Sequence, residues 1–154
     1  MTVADLDALM VVQRGGAVLA LGAIFPQGDF PFPTDVVRRR WEVELADPDI
    51  DSYAVVAATG TLAGFAAVRG DQFLHFGTAV DTWGSGLAGR AHDDVRELWI
   101  ARGLTSAWLR VFEANVRARR FYERRGWAPT GETTTSDFAP NPVLLTYAVD
   151  LTRP

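Results

Sequence analysis

The sequence predicts one mixed α/β domain over residues 1–154, a β-sheet with helices packed on it. Three observations predict it. Hydrophobic spacing switches between the helical and the strand period along the chain. The first strands follow one another through short turns, whereas later ones alternate with helices. A chain of 154 residues with 48% apolar content supplies one sizeable core.

In VADLDALMVVQRGG, Val3, Leu6, Leu9 and Met10 recur at helical spacing with Asp5 and Asp7 early, which predicts a helix. GAIFPQGDFPFP, broken by prolines and glycines, reads as a loop with apolar side chains. Thr34 is a suitable N-cap for a second helix, DVVRRRWEVELA, which ends before Asp47-Pro48. SYAVVAATG and TLAGFAAVRG form a hairpin through Gly60, and QFLHFGTAV adds a third strand. Gly77 in that strand marks a bulge or a close backbone approach. Leu87, Ala91, Val95, Leu98 and Trp99 then define a helix over 86–102 facing the sheet. LTSAWLRVF is a strand, NVRARRFYERRGW a helix closed by Gly126, and PVLLTYAVDL a closing strand, with one or two strands in this final stretch.

Composition narrows the chemistry. Cysteine is absent, which excludes disulfides and thiolate chemistry, and His75 and His92 are too few for a histidine-rich metal site. Every basic residue is arginine, so a lysine-containing P-loop is excluded. The formal charge of −4 argues against nucleic acid and mildly suits a cationic acceptor. With no leader-like or membrane-spanning run, the expectation is a cytoplasmic protein.

TWGSGLAG, residues 82 to 89, spells G-x-G-x-x-G at Gly84, Gly86 and Gly89. In a dinucleotide-binding fold this motif opens the first βαβ unit and several further units follow. Here a meander precedes it and little chain follows, so that reading fails. The physical content survives: a glycine turn into a helix aims free N–H groups and the positive helix end at an anion. A plain tight turn remains the alternative.

LRVFEANVRARRFYERRGW, residues 109 to 127, settles the choice. Leu109, Val111, Asn115, Ala118, Phe121, Tyr122 and Gly126 match L-x-V-x-x-x-N-x-x-A-x-x-F-Y-x-x-x-G-F, with Trp127 for the last phenylalanine. WGSGLA matches Q/R-x-x-G-x-G/A at Gly86 and Ala88, with Trp83 in the Q/R position. In both motifs, and in element order over nearly the whole chain, the sequence resembles the GNAT superfamily of acyl-CoA-dependent N-acyltransferases. The resemblance implies a twisted mixed sheet with an antiparallel N-terminal meander and flanking helices. Almost nothing stands ahead of the first helix, so the strand that the family places there is expected to be lost or truncated in this sequence.

By resemblance, the strand ending at Val80 and the strand ending near Val111 splay apart and take the pantetheine arm of acetyl-CoA. The implied donor contacts are Phe76, Thr78, Ala79 and Val80 on the strand. They continue through Trp83, Gly84, Ser85, Gly86, Leu87, Ala88 and Gly89 in the loop, and Asn115, Ala118, Phe121 and Tyr122 on the helix. A main-chain N–H near Thr78 polarises the thioester carbonyl, and Tyr122 protonates the leaving thiolate. Asn115 and Tyr122 lie two helical turns apart, hence on one face. The same two residues also suit an N-cap and a core aromatic. No carboxylate lies between Asp71 and Asp81 to serve as base, which leaves His75 as the candidate, since histidine titrates near neutrality. His92 is the weaker one. Among Arg117, Arg119, Arg120, Arg124 and Arg125, most read as a solvated face and one or two as phosphate contacts.

The implied activity is acetyl transfer from acetyl-CoA to a primary amine of a small molecule or peptide, directly in a ternary complex and without a metal. The loops IFPQGDFPFP and TTTSDFAPNP are expected on the acceptor side. The alternative is a non-catalytic acyl-CoA-binding regulatory module. Neither nucleic acid nor membrane is expected as a partner, and homodimerisation is left open.

Overall fold

The computed structural model describes residues 1–152. After a short 3₁₀ turn, the elements are α1 (Leu6–Ala20), α2 (Thr34–Ala46), β1 (Ile50–Val56), β2 (Leu62–Arg69), β3 (Gln72–Thr78), α3 (Leu87–Ala101), β4 (Ser106–Phe112), α4 (Val116–Glu123), β5 (Ala128–Thr135) and β6 (Val143–Asp150). The six strands form one sheet in the order β1-β2-β3-β4-β6-β5. Every neighbouring pair is antiparallel except β3 and β4. No strand precedes α1 among the described residues, and β1 is the sheet's outer edge.

The helices cover the two faces of this sheet. Leu6, Leu9 and Met10 of α1 and Val37 and Trp41 of α2 pack on Phe65 and Ala67 of β2. On the other face, Val95 and Trp99 of α3 meet Ala66, Val68, Phe73, Leu109 and Tyr147, with Ala118 and Tyr122 of α4 against the same cluster. Successive residues of β2 therefore enter opposite cores, which is why its sequence is apolar almost throughout. β5 is the opposite case. It is an edge strand, exposed nearly throughout and carrying Pro129 and Gly131, and apolar alternation does not announce it.

Three local expectations change. Thr34 is the first residue of α2 rather than its cap; Pro33 occupies the cap and no side chain caps the turn. β3 ends at Thr78, and Val80 begins a 3₁₀ turn, Val80–Thr82. The bulge falls on Leu74, not Gly77, because pairing with β2 shifts from Ala67↔His75 to Val68↔Phe73. Gly77 instead stands opposite Phe65, whose ring lies where a Cβ would sit, 2.8 Å from it. The glycine admits a side chain, not a backbone.

Candidate active site

The site begins where two strands part. β3 and β4 pair only at Gln72↔Trp108 and Phe73↔Leu109, then run on unpaired to Thr78 and Phe112. The extra residue, Leu74, immediately follows the last pair, and a bulge bends its strand at that point. The bulge thus accounts for the gap. Ala79 N–H bonds to Ala63 C=O (2.8 Å), so strand alternation turns the main-chain groups of Phe76 and Thr78 the other way, into the gap. The Thr78 carbonyl is taken by the Trp83 indole N–H (3.1 Å), which leaves its N–H as the free group there.

The gap widens into a cavity of about 700 Å³ that runs from α1, through the sheet, to α3 and α4. That volume is in the range of small-molecule sites. At one end stands the glycine loop. Gly84 and Gly86 both hold φ +84°, the left-handed conformation that side chains resist, and Gly86 caps α3. Ser85 Oγ accepts the Leu87 N–H (3.3 Å), so the unmatched donors of the first turn are Ala88 and Gly89. A Cβ at Gly89 would overlap the guanidinium of Arg125. Arg125 itself lies 4.2 Å above the Phe121 ring, and its buried Nε has no hydrogen-bond partner. Arg117 stacks 3.5 Å above the Trp83 ring.

α4 supplies the facing wall. Asn115 caps it, its Oδ1 accepting from the Ala118 N–H (3.1 Å), so its side-chain NH₂ is the part left for a ligand. Tyr122 packs edge-on against Phe121 (5.3 Å) and Trp127 (5.9 Å) while its side chain lines the cavity. Burial pushes its phenol well above the ordinary value near 10. His92 is only 1% exposed and sits behind this wall, among Phe73, Phe76, Phe121 and Tyr122. Its Nε2 receives the Trp127 indole N–H at 2.9 Å.

On the opposite face of the sheet, His75 Nε2 meets Glu44 Oε2 at 2.7 Å. Trp41 lies 4.8 Å from the imidazole, and its indole N–H donates to Gln13 Oε1 (2.5 Å). His75 and Gln13 both line the cavity.

Most of the expected donor contacts converge on this space: Phe76 and Thr78 on β3; Trp83, Gly84, Gly86, Ala88 and Gly89 in the loop; Asn115, Ala118, Phe121 and Tyr122 on α4. Four do not line it. The Ala79 N–H is spent on β2 and Val80 has turned away into the 3₁₀ segment, while Ser85 and Leu87 satisfy each other. The expected acceptor loops also stay out of the lining. Phe25 packs on Phe112 (5.4 Å), and Phe32 and Phe138 join the core under α1 and α2. The wall on that side comes from Gly16, Ala17 and Ala20 of α1 and its cap Leu21, with Phe112 and Leu144. Glu44 was missed because it is remote in sequence. The available signal was its place three residues after Trp41, on the buried face of α2. Among the described residues, no group of three or more His, Cys, Asp or Glu side chains is placed to hold a metal, and no helix is long and apolar enough to cross a membrane.

Residues 9–127 match the family model described as the acetyltransferase (GNAT) family. Among solved structures, the fold is similar to a GCN5-related N-acetyltransferase from Rhodopseudomonas palustris (TM-score 0.76, 15% identity, 96% of this chain and 90% of that one). It is also similar to the PaiA N-acetyltransferase from Thermoplasma acidophilum in complex with coenzyme A (TM-score 0.71, 15%, 95% and 94%). A third likeness is to the ribosomal-protein-S18-alanine N-acetyltransferase from Escherichia coli (TM-score 0.69, 16%, 100% and 92%). No curated protein matches the chain.

Proposed function

The chain belongs to the acetyltransferase (GNAT) family, acyltransferases that draw on acetyl-CoA, and from that premise we propose direct transfer of the acetyl group to a primary amine in a ternary complex. The carrying observation is the strand gap, where the Phe76 and Thr78 main chain faces one cavity with Asn115 and Tyr122 of α4. In this reading the pantetheine arm adds to the open edge of β3 much as a peptide would. The pyrophosphate meets the Ala88 and Gly89 N–H groups at the positive end of α3. Arg117 and Arg125, held over aromatic rings beside that loop, supply the countercharge.

The amine nitrogen attacks the thioester carbonyl carbon and its proton passes to His75. The charge that builds on the carbonyl oxygen is met by the Thr78 N–H. As the carbon–sulfur bond breaks, Tyr122 donates its O–H to the departing sulfur. Burial of the phenol widens its mismatch with a thiol of about 8.5, so the hydroxyl acts as a hydrogen-bond donor more than as a full acid.

The lining also bears on the acceptor. Besides Arg117 and Arg125, assigned above to the phosphates, Arg110 and Arg124 border the cavity, and no aspartate or glutamate does among the described residues. A polyamine would enter there without a counter-ion. We therefore favour an amine on an apolar body, a small molecule or peptide, and set aside the cationic preference suggested by the overall charge. The reading extends to a cytoplasmic protein acting without nucleic acid or membrane.

The test joins binding to turnover. Acetyl-CoA at about 100 times its dissociation constant adds roughly 2.7 kcal/mol and raises the melting temperature by a few degrees. Coenzyme A acts alike and NAD is inert. Thiol release is then followed with apolar amines, amino acids, a peptide and spermidine. Stabilisation without release for any amine would favour the binding-module alternative, and spermidine as best acceptor would refute the apolar preference.

A further inference from the structure

The His75–Glu44 contact reaches beyond the reaction outline above, although it rests on His75 being the base. A carboxylate can only accept a hydrogen bond, so the 2.7 Å contact with Glu44 Oε2 requires the hydrogen on His75 Nε2. Neutral imidazole then carries its lone pair on Nδ1, and no described side chain hydrogen-bonds to that nitrogen. The arrangement is held from two elements. Glu44 and Trp41 approach on the same face of α2, and the indole is pinned to Gln13 of α1. Both members of the pair are largely enclosed, with 19% and 15% of their side chains exposed. No aspartate or glutamate lines the cavity among the described residues, and Arg110 borders it from β4.

We infer that Glu44 is the positioning residue of His75, fixing the ring and its tautomer so that Nδ1 takes the proton of the acceptor amine. The bond that breaks is amine N–H and the bond that forms is Nδ1–H. The imidazolium so made faces the Glu44 carboxylate, which offsets the new charge where solvent is sparse. Glu44 touches neither substrate.

Glu44→Gln and Glu44→Ala separate the parts. Glutamine can still accept from Nε2 but carries no charge; alanine removes both functions. General acid–base catalysis is worth about 10²–10⁴-fold, and a displaced base forfeits part of that. The expected result is a kcat lowered about 10- to 100-fold in the alanine variant, with glutamine recovering some of the loss. Acetyl-CoA affinity and KM should stay within about twofold. Nitrogen NMR of the imidazoles reads the tautomer without any acceptor: Nε2–H at His75 in the wild type and in Glu44→Gln, lost or mixed in Glu44→Ala. A wild-type Nδ1–H tautomer overturns the inference, as does unchanged kcat in both variants. His75→Asn separates the two levels. If it is inactive while both Glu44 variants are fully active, the dyad falls and the base stands; if it is fully active, the base reading itself falls.

Discussion

Trp127 donates its indole N–H to Nε2 of His92 across 2.9 Å, joining the residue that precedes β5 to the buried face of α3. A nitrogen that accepts is unprotonated, so the hydrogen of this imidazole sits on Nδ1, where Asp93 Oδ1 receives it at 3.2 Å. The ring is therefore neutral, walled in by aromatic side chains directly behind the cavity-lining face of α4. It holds that wall in place rather than handling substrate protons.

A pH dependence of stability follows. Burial lowers the His92 value in the fold from its ordinary 6.5, and the Asp93 hydrogen bond only partly opposes this. As pH falls below about 6.5 the unfolded chain takes up the proton first. The contribution is thus complete above that value and is lost on acidification toward the folded-state value. The slope approaches at most about 1.4 kcal/mol per pH unit for one group. Urea unfolding at a series of pH values from 7.5 to 5, with steps of roughly half a unit, measures it. His92→Gln, which can still accept the indole N–H, should flatten the slope relative to wild type. An unchanged slope would assign it to other groups.

The glycine loop makes a steric prediction. Gly86→Val must hold a branched residue at φ +84°, so its effect mixes backbone strain with blocked access. Ala88→Glu is cleaner. It leaves the backbone alone and places a carboxylate beside the N–H groups assigned to the pyrophosphate. Gly89→Ala is subtler, because the new methyl displaces Arg125 from α3. Calorimetric titration should show acetyl-CoA binding abolished by Ala88→Glu and weakened roughly tenfold by Gly89→Ala, a loss of about 1.4 kcal/mol. Equal affinity in all three variants would move the phosphates elsewhere.

Trp83 stands where the family pattern has glutamine or arginine, and its environment explains the exchange. The indole N–H ties the loop back to Thr78, and the ring carries Arg117. Trp83→Phe should cost about 0.5–1.5 kcal/mol of stability for the lost hydrogen bond. Acetyl-CoA affinity should change little, since the ring under Arg117 is kept. Arg117→Ala should reverse the pattern: unaltered stability, affinity down about tenfold, and a shallower dependence of affinity on salt. An Arg117→Ala variant that binds normally would return this residue to the solvated face.

Of the α4 wall, spacing made only the two-turn separation of Asn115 and Tyr122 legible, and the family motif supplied Ala118 and Phe121; all four line the cavity. The loop glycines were legible for a similar reason, a positive φ being a local demand. A contiguous motif does not tell its alternating residues apart. The Ala79 N–H points to β2 while the Thr78 main chain faces the gap, and Ser85 Oγ accepts from the Leu87 N–H. Long-range pairs were not legible at all. Glu44 meets His75 from 31 positions away, and only the packing of α2 on the sheet brings them together. Net charge does not report local charge either: the acidic balance of the chain coexists with a cavity bordered by arginines.

Tyr122→Phe is the most informative single change at the reacting end. It removes one oxygen and keeps the ring packed against Phe121 and Trp127, so folding should be undisturbed. No described group hydrogen-bonds to that hydroxyl, and burial keeps it protonated at any working pH. It is thus available as a donor to a sulfur that becomes negative as its bond to carbon breaks. One well-placed donor to a developing anion is worth about 10²–10³ in kcat. The variant should lose turnover by that factor with acetyl-CoA affinity nearly unchanged, since the bond strengthens only as charge develops. The loss should shrink for an acyl donor whose thiol is more acidic, because that thiolate needs less stabilisation. Steady-state rates with acetyl-CoA and with such a donor provide the comparison. Equal loss of affinity and turnover would make the hydroxyl a ground-state contact, and full activity would leave water as the partner of the departing sulfur.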